Sequence, residues 1–359
     1  MEVGFACPSM SNGWIISSTS QKFSPDWSLI RDTAVAAERG GFDFSLCTVQ
    51  LRGMDGPTRH FHETADSLSV MAGLALVTER ITLYGSVGTL STPPVLAAKA
   101  AVTINDMSNG RFGLNIVSGL EKQSYSQMGM WPGDQHFKTR YELATEYTKI
   151  IRELWETGGS NFKGEYFTMD HCQFGPTPKQ PIEIVCAGQS DPGTKFCAEL
   201  ADYQLALGKT DFDEMTAFSQ RLQRLAAEAG RKVGMYALYQ VVVRETDEEA
   251  SAAIADWREH QDYETVARLA GRDYGEGDEE STKNIFFSTD AFLVGFPVIS
   301  GSPTTVAEKM HELAKVDGLD GFLITVPEYP NDIARFGRDV MPLLKGNPVA
   351  GGTAARAAV

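Results

Sequence analysis

The chain has 359 residues, 42% of them hydrophobic and 22% charged, with a formal net charge of −15. That composition builds a sizeable core and excludes a disordered chain, and the acidic surplus repels nucleic acid and anionic membranes, so neither is expected as a partner. No stretch approaches the roughly 18 apolar residues of a membrane span, the start lacks a basic segment followed by a long apolar run, and the five cysteines form no CxxC pair, so a cytoplasmic location is expected.

Strand-like and helix-like segments alternate along the chain. A strand over 3–8 leads to a helix over 26–39, which Gly40-Gly41 closes before a strand over 42–48. A helix over 65–78, a strand over 81–87 and a helix over 95–107 follow, and after Gly110 comes a strand over 112–117. The pattern continues with helix 141–155, strand 182–187, helix 193–200, strand 203–208, helix 212–229 and strand 236–243. Helix 304–316, strand 321–325 and a closing helix over 333–344 complete it. Most strands are near-continuous apolar runs, as parallel strands covered on both faces require. The helices carry apolar residues at spacings of three and four. Eight strands alternating with helices predict a closed (β/α)8 barrel, a TIM barrel, as one domain over 1–345. The alternative is an open doubly wound sheet, but no GxGxxG follows the first strand to support it.

Two connections are long, 118–140 after the fourth strand and 244–302 after the seventh. The second holds an acidic helical part (247–269), a charged glycine-rich turn (271–280) and an apolar stretch (292–299). Strand-to-helix loops lie on the catalytic face of such a barrel, so both are expected to be lids. An oligomer contact is the other reading of the second. The Gly/Ala/Pro-rich tail 346–359 is expected to fray.

Residues 186–190 read Cys-Ala-Gly-Gln-Ser, directly after the apolar Ile182, Ile184 and Val185 and directly before Asp191-Pro192-Gly193. This is a strand ending in a glycine turn, then a polar N-cap and a proline in the first helical turn. Free N–H groups beside Gly188 and Ser190 make a natural seat for a phosphate. Asn115 falls within the fourth strand, where an inward amide is costly unless bonded. It is either a core amide satisfied by backbone or a contact to a bound polar ring. Arg140-Tyr141 lies where the helix after the long fourth loop is expected to start. An arginine there opposes the helix dipole, which is tolerable if it faces an anion; the alternative is a surface arginine. The His60/His62 pair lies in a loop before a helix rather than at a strand end, so no metal site is expected. Neither GxSxG nor GxxxxGK[ST] occurs, which removes support for a hydrolase nucleophile and excludes a P-loop.

Several stretches together resemble the bacterial luciferase-like flavin monooxygenases, and within them the branch that opens the uracil ring. They are Asn12-Gly13-Trp14-Ile15-Ile16-Ser17, Leu51-Arg52-Gly53, Met71-Ala72-Gly73-Leu74-Ala75, Gly110-Arg111-Phe112-Gly113-Leu114-Asn115 and Gln127-Met128-Gly129-Met130-Trp131-Pro132-Gly133-Asp134. Asn161-Phe162-Lys163-Gly164, Cys186-Ala187-Gly188-Gln189-Ser190 and the late Gly301-Ser302-Pro303-Thr304-Thr305-Val306-Ala307-Glu308 complete the set, in register over nearly the whole chain. The resemblance implies a (β/α)8 barrel that takes reduced FMN from a separate NAD(P)H:flavin reductase and uses O2 to insert one oxygen atom. Oxygen would react at N5 or C4a of the flavin ring. Flavin contacts would come from Val49, Gln50, Asn115, Arg140, Tyr141 and Ser190, with the amides around Gly188 and Gln189 at the phosphate. Ser86 and Asn115 would form the oxygen pocket, and Leu120 and Ser124 would face the substrate. Homo-oligomers are usual for such barrels.

Four positions depart from the uracil branch, which resembles this chain but carries lysine at Gln50, tryptophan at Leu120, glutamate at Ser124 and threonine at Ser86. A site built to hydrogen-bond one ring rejects others when those groups change. The substrate is therefore expected to be a compound other than uracil, apolar or weakly polar, with heteroaromatic rings included. The competing classes are F420-dependent hydride transfer on the same fold and a non-catalytic flavin-binding protein.

Overall fold

The computed structural model describes residues 1–270 and 297–346. The expected turn over 271–280, most of the apolar stretch 292–299 and the tail from 347 onwards lie outside them.

All eight expected strands form. They are β1 (Glu2–Ala6), β2 (Phe44–Cys47), β3 (Thr82–Gly88), β4 (Phe112–Val117), β7 (Glu183–Cys186), β8 (Tyr203–Leu207), β9 (Gly234–Val243) and β11 (Gly321–Thr325). They pair in parallel in the order β9-β11-β1-β2-β3-β4-β7-β8, and β8 closes the ring onto β9. Three short strands were not expected. β5 (Gly159–Ser160) and β6 (Cys172–Gln173) form an antiparallel pair ahead of β7. β10 (Val298–Gly301) pairs with the distal half of β9, Gln240 to Val243.

The helices between them are α1 (Trp27–Arg39), α2 (Ser67–Ala75), α3 (Pro94–Met107), α4 (Lys122–Ser126), α5 (His136–Thr157), α6 (Asp191–Leu200) and α7 (Phe212–Glu228). The connection after β9 contains α8 (Asp247–Glu259) and α9 (Tyr263–Ala270); α10 (Pro303–Leu313), α11 (Asn331–Asp339) and α12 (Met341–Leu344) follow β10 and β11. Side-chain caps set several helix starts: Asp66 accepts from Ser69 N at 2.8 Å and Asp211 from Glu214 N at 2.9 Å. The Asp66 cap is why α2 begins at Ser67 rather than at 65. α5 starts five residues before the expected 141, because Phe137 and Arg140 are buried in its opening turns. This corrects the reading of Arg140 as a helix-start residue; it sits in the second turn.

The inside of the barrel is packed in two zones. Its N-terminal half holds Phe44, Tyr84, Tyr203 and Tyr236, with Tyr203 and Tyr236 stacked 4.5 Å apart. Glycines on neighbouring strands make room for them. A Cβ on Gly4 would lie 2.2 Å from the Phe44 ring, one on Gly113 2.4 Å from Tyr84, and one on Gly234 2.4 Å from Tyr203. Tyr84 Oη donates to Glu183 at 2.5 Å and Tyr236 Oη to Glu2 at 2.5 Å. Burial pushes the Tyr84 and Tyr236 phenols and the Glu183 carboxyl up. The result is an aromatic floor at the end away from the strand-to-helix loops. Gly113→Ala should destabilise the fold by about 1–3 kcal/mol through overpacking. Urea unfolding checks it, and an unchanged midpoint would show that the Tyr84 ring can yield.

Candidate active site

Polar side chains gather at the other end of the barrel. Asn115 on β4 and Ser86 on β3 are paired in register, and both are buried. Asn115 Nδ2 donates to Ser86 Oγ at 2.8 Å, and Ser86 Oγ donates to the Cys47 carbonyl at 2.6 Å. Ser67 Oγ donates to the same carbonyl at 2.8 Å and accepts from Ser86 N at 2.8 Å. Asn115 Oδ1 is buried and has no hydrogen-bond partner among the described residues. Of the two readings of this amide, neighbouring backbone does not satisfy it. A buried acceptor left unpaired costs about 1–3 kcal/mol, which a bound donor would recover.

A second cluster forms where β7 runs into α6. Ser190 caps the helix, its Oγ accepting from Gly193 N at 3.3 Å. The chain folds so tightly that a Cβ on Gly188 would lie 2.8 Å from Gly193 Cα and 2.8 Å from Tyr141 Oη. Gly193 is as confined, with Tyr141 Oη 2.6 Å from its would-be Cβ. Arg140 is buried, donates to the Phe137 carbonyl and stacks over the Tyr141 ring at 4.8 Å. Burial pushes the Tyr141 phenol up, while the Arg140 cation and the Ser190 and Ser118 hydroxyls pull it back. The helix N-terminus, two glycines and the Tyr141 phenol thus meet, with the Arg140 guanidinium over the Tyr141 ring. Gln189 is turned aside: its Oε1 accepts from Leu207 N at 3.1 Å, bracing the turn against β8. Gln204 holds the same turn by donating to the Gly188 carbonyl.

The two rim loops meet above β2 and β4. Val49 and Gln50 follow β2 and are half-buried, as is Leu120. Gln50 Nε2 donates to the Arg52 carbonyl at 2.5 Å and to Glu121 Oε2 at 3.2 Å. Ser124 is buried, and its Oγ donates to Glu121 Oε2 at 2.6 Å. Gln127 Nε2 donates to the Leu51 carbonyl at 2.5 Å. Beside this clasp opens a polar pocket of about 290 Å³, with Arg52, Asp55, His62 and Gln127 in its wall. His136 Nε2 lies 3.1 and 3.0 Å from the Ser118 and Gly119 carbonyls, so it carries the ring proton and pins the loop to α5. Burial lowers its pKa. Glu121 and His136 were missed in the sequence. A lone acid in Leu120-Glu121-Lys122 has no motif around it, although Ser124 three residues on is a usable hint.

His60 is a core histidine. Its Nδ1 meets Thr58 Oγ1 at 2.8 Å and its Nε2 donates to the Ile15 carbonyl at 2.7 Å. Burial, helped by the Lys22 charge, lowers its pKa from 6.5 to about 4. The unfolded chain therefore takes up this proton first. The contribution to stability is whole above pH 6.5 and is lost as pH falls towards 4, by about 3 kcal/mol across that window. Unfolding at pH 7 and pH 4.5 should show a steeper loss in the wild type than in His60→Gln. Parallel losses would assign the acid sensitivity to other groups.

A family model described as luciferase-like monooxygenase matches residues 1–319. The chain belongs to that family. As a luciferase-like monooxygenase it is a flavin-dependent oxygenase, in keeping with the relatives it matches. It is 39% identical over 350 residues to a protein named pyrimidine monooxygenase RutA from Yersinia enterocolitica serotype O:8 / biotype 1B, covering 96% of this chain and 95% of the relative. Among solved structures, the EDTA monooxygenase EmoA from Chelativorans sp. BNC1 superposes with a TM-score of 0.79 at 18% identity, over 97% of this chain and 94% of that one. An F420-dependent secondary alcohol dehydrogenase in complex with an F420-acetone adduct superposes with a TM-score of 0.71 at 18% identity, over 96% and 98%. At those identities the two structures speak for the barrel alone. No described helix of this luciferase-like monooxygenase is long and apolar enough to cross a membrane.

Proposed function

We propose that this monooxygenase binds reduced FMN handed over by a separate NAD(P)H:flavin reductase and uses O2 to place one oxygen atom on a small heterocyclic substrate other than uracil. The phosphate seat carries the FMN part of this reading. Gly188 and Gly193 let the strand end and the first turn of α6 pack against each other and against Tyr141 Oη with no space for a Cβ, which sets the start of α6 beside that hydroxyl. The unpaired Asn115 Oδ1 fits the ring end, as a group that meets a polar edge.

When bound, the reduced flavin supplies the electrons that activate O2. Around it, the amides at the start of α6 and the Arg140 guanidinium would bind the phosphate. Asn115 would orient the ring edge and help confine O2. Ser86 holds the Asn115 amide in place, and the loop over α4 would close the site to water. Gln50 and Leu120, standing where the uracil-opening branch carries lysine and tryptophan, support a different ring. Reduced flavin supply and free cysteines fit a cytoplasmic setting. Homo-oligomerisation belongs to the same reading; Trp27, Leu76, Val77 and Leu96 are exposed on or beside α1, α2 and α3 and offer apolar surface to bury.

Anaerobic titration with FMNH2 tests the reading. A saturable complex is expected, followed on mixing with O2 by uptake that depends on an added heterocycle and leaves one labelled oxygen in the product. No saturable complex would undo it, and tight binding of reduced F420 instead would move the enzyme to hydride transfer. Uracil ring opening at an ordinary enzymatic rate, roughly 1 per second or faster, would overturn the substrate part.

A further inference from the structure

Cys7 and Cys47 are buried nucleophiles that the flavin reading leaves unused. Cys47 ends β2, and Cys7 directly follows β1. The parallel register Gly4↔Phe44, Phe5↔Ser45, Ala6↔Leu46 continues one step further, because Cys7 N donates to the Leu46 carbonyl at 2.9 Å. The two cysteines are therefore partners on adjacent staves, with Cα atoms about 4.8 Å apart, inside the range a disulfide spans. Ala6 and Leu46 pack inside the barrel, so both thiols point outwards to the helix layer. There they are hydrogen-bonded to each other. Cys47 Sγ also meets the Ser9 and Ser67 hydroxyls and lies 3.9 Å from the Thr48 carbonyl.

The thiolate, not the thiol, is the nucleophile. The hydrogen bond from Cys7 holds the Cys47 thiol below its ordinary value although burial opposes it, and the same bond raises Cys7. One member of the pair is thus the attacking sulfur and the other the resolving one. Cys186 and Cys197 are a second touching pair. There burial pushes the Cys186 thiol up, and Cys197 Sγ is engaged by the Cys186 and Gly188 carbonyls at 3.7 and 3.8 Å.

We propose that Cys7 and Cys47 are an oxidation site: a dithiol that hydrogen peroxide closes to a disulfide and a thiol reductant reopens, shifting the Cys47 carbonyl beside Ser86. The Cys47 thiolate attacks the peroxide, the O–O bond breaks, and Cys47 sulfenic acid and hydroxide form. The Cys7 sulfur then displaces hydroxide from that sulfur, and its proton leaves with the hydroxide as water. The two sulfurs together give up two electrons, and the peroxide is reduced to two waters. Hydrogen peroxide is small and neutral, so local opening of the strand ends admits it where bulky reagents are kept out. The link reaches the candidate active site through one atom. The Cys47 carbonyl accepts from Ser86 Oγ at 2.6 Å and from Ser67 Oγ at 2.8 Å, and Ser67 Oγ accepts from Ser86 N at 2.8 Å. Drawing the two Cβ atoms to the roughly 3.8 Å of a disulfide twists this strand end and moves that carbonyl.

The test treats the full chain with hydrogen peroxide and maps its peptides by mass, with Cys172→Ser removing the half-buried thiol. Two thiols per chain should be lost, with peptides joined at Cys7 and Cys47, and dithiothreitol should reverse both. Cys7→Ser should leave Cys47 at the sulfinic stage with no internal link. Hydrogen exchange at Ser86 N should quicken about tenfold in the oxidised chain and return on reduction, as the loss of one hydrogen bond requires. A merely packed pair would show neither the link nor the change in exchange. Cys7 and Cys47 still reduced once the exposed Met128 and Met130 are oxidised would overturn the proposal. So would a link at Cys186 and Cys197 alone, or Cys47 sulfinic acid without a link while Cys7 is present. Unchanged exchange at Ser86 N in the linked chain would overturn the coupling to the site.

Discussion

Replacing Asn115 by alanine should lower oxygenation about a hundredfold while FMNH2 affinity changes less than tenfold. The magnitude is that of removing one preorganised polar group from a water-excluded reaction site. The structure gives the reason for the split. Asn115 Oδ1 is a buried acceptor without a partner among the described residues, and Nδ2 is already committed to Ser86 Oγ at 2.8 Å. The amide is held in place before anything binds, so its truncation removes orientation more than it removes contact area. Ser86 keeps its own hydrogen bond to the Cys47 carbonyl at 2.6 Å after the change, so the strand pair should survive. The checks are an anaerobic FMNH2 titration and the single-turnover yield on whichever heterocycle stimulates O2 uptake. An unaltered yield would remove Asn115 from the oxygenation step. Ser86→Ala should couple with Asn115→Ala in a double-mutant cycle, because the two side chains touch.

Gly188→Val should weaken FMN binding a hundredfold or more and leave riboflavin binding nearly unchanged. The new Cβ would lie 2.8 Å from Gly193 Cα and from Tyr141 Oη, and the Gly193 backbone cannot swing away as a flexible side chain could. Relief would come from pushing the strand end off α6, which opens the cluster of helix N–H groups and Tyr141. Two charge-assisted hydrogen bonds lost at about 1.5–3 kcal/mol each account for the size of the effect. Riboflavin has no phosphate and so reports on the ring end alone. Arg140→Met supplies a second variant with the same expected pattern should the valine chain fail to fold. Equal losses for FMN and riboflavin in both variants would mean that the phosphate lies elsewhere.

The barrel was legible because its signal is local. The runs around Val3, Leu83, Leu114 and Ile184 are apolar on both faces, and each emerged as a stave. The capped turn at 188–190 was legible for the same reason: strand, glycine, cap and proline follow one another along the chain. β10 was not, because it exists only by pairing with the distal half of β9. The start of α5 was missed because Arg140 and His136 are polar side chains buried by tertiary contacts, which hydrophobic spacing cannot register. Glu121 was missed because the residue that gives it meaning, Gln50, is brought alongside only by the ring closing. The sequence reading took Ser124 singly, whereas the fold sets the Glu121 carboxylate against its hydroxyl.

Among the described residues, the aromatic floor closes one end of this barrel. Phe44, Tyr84 and Tyr236 stop the lower end, and the Tyr–Glu bonds tie that stopper to β1 and β7. Cofactor, gas and organic compound would then share a single passage, and whatever seats deepest has to arrive first and depart last. An ordered sequence of arrivals would then follow from the packing of tyrosines far from any reacting atom. Crowding them, as with Gly113→Ala, should disturb folding before it disturbs that order.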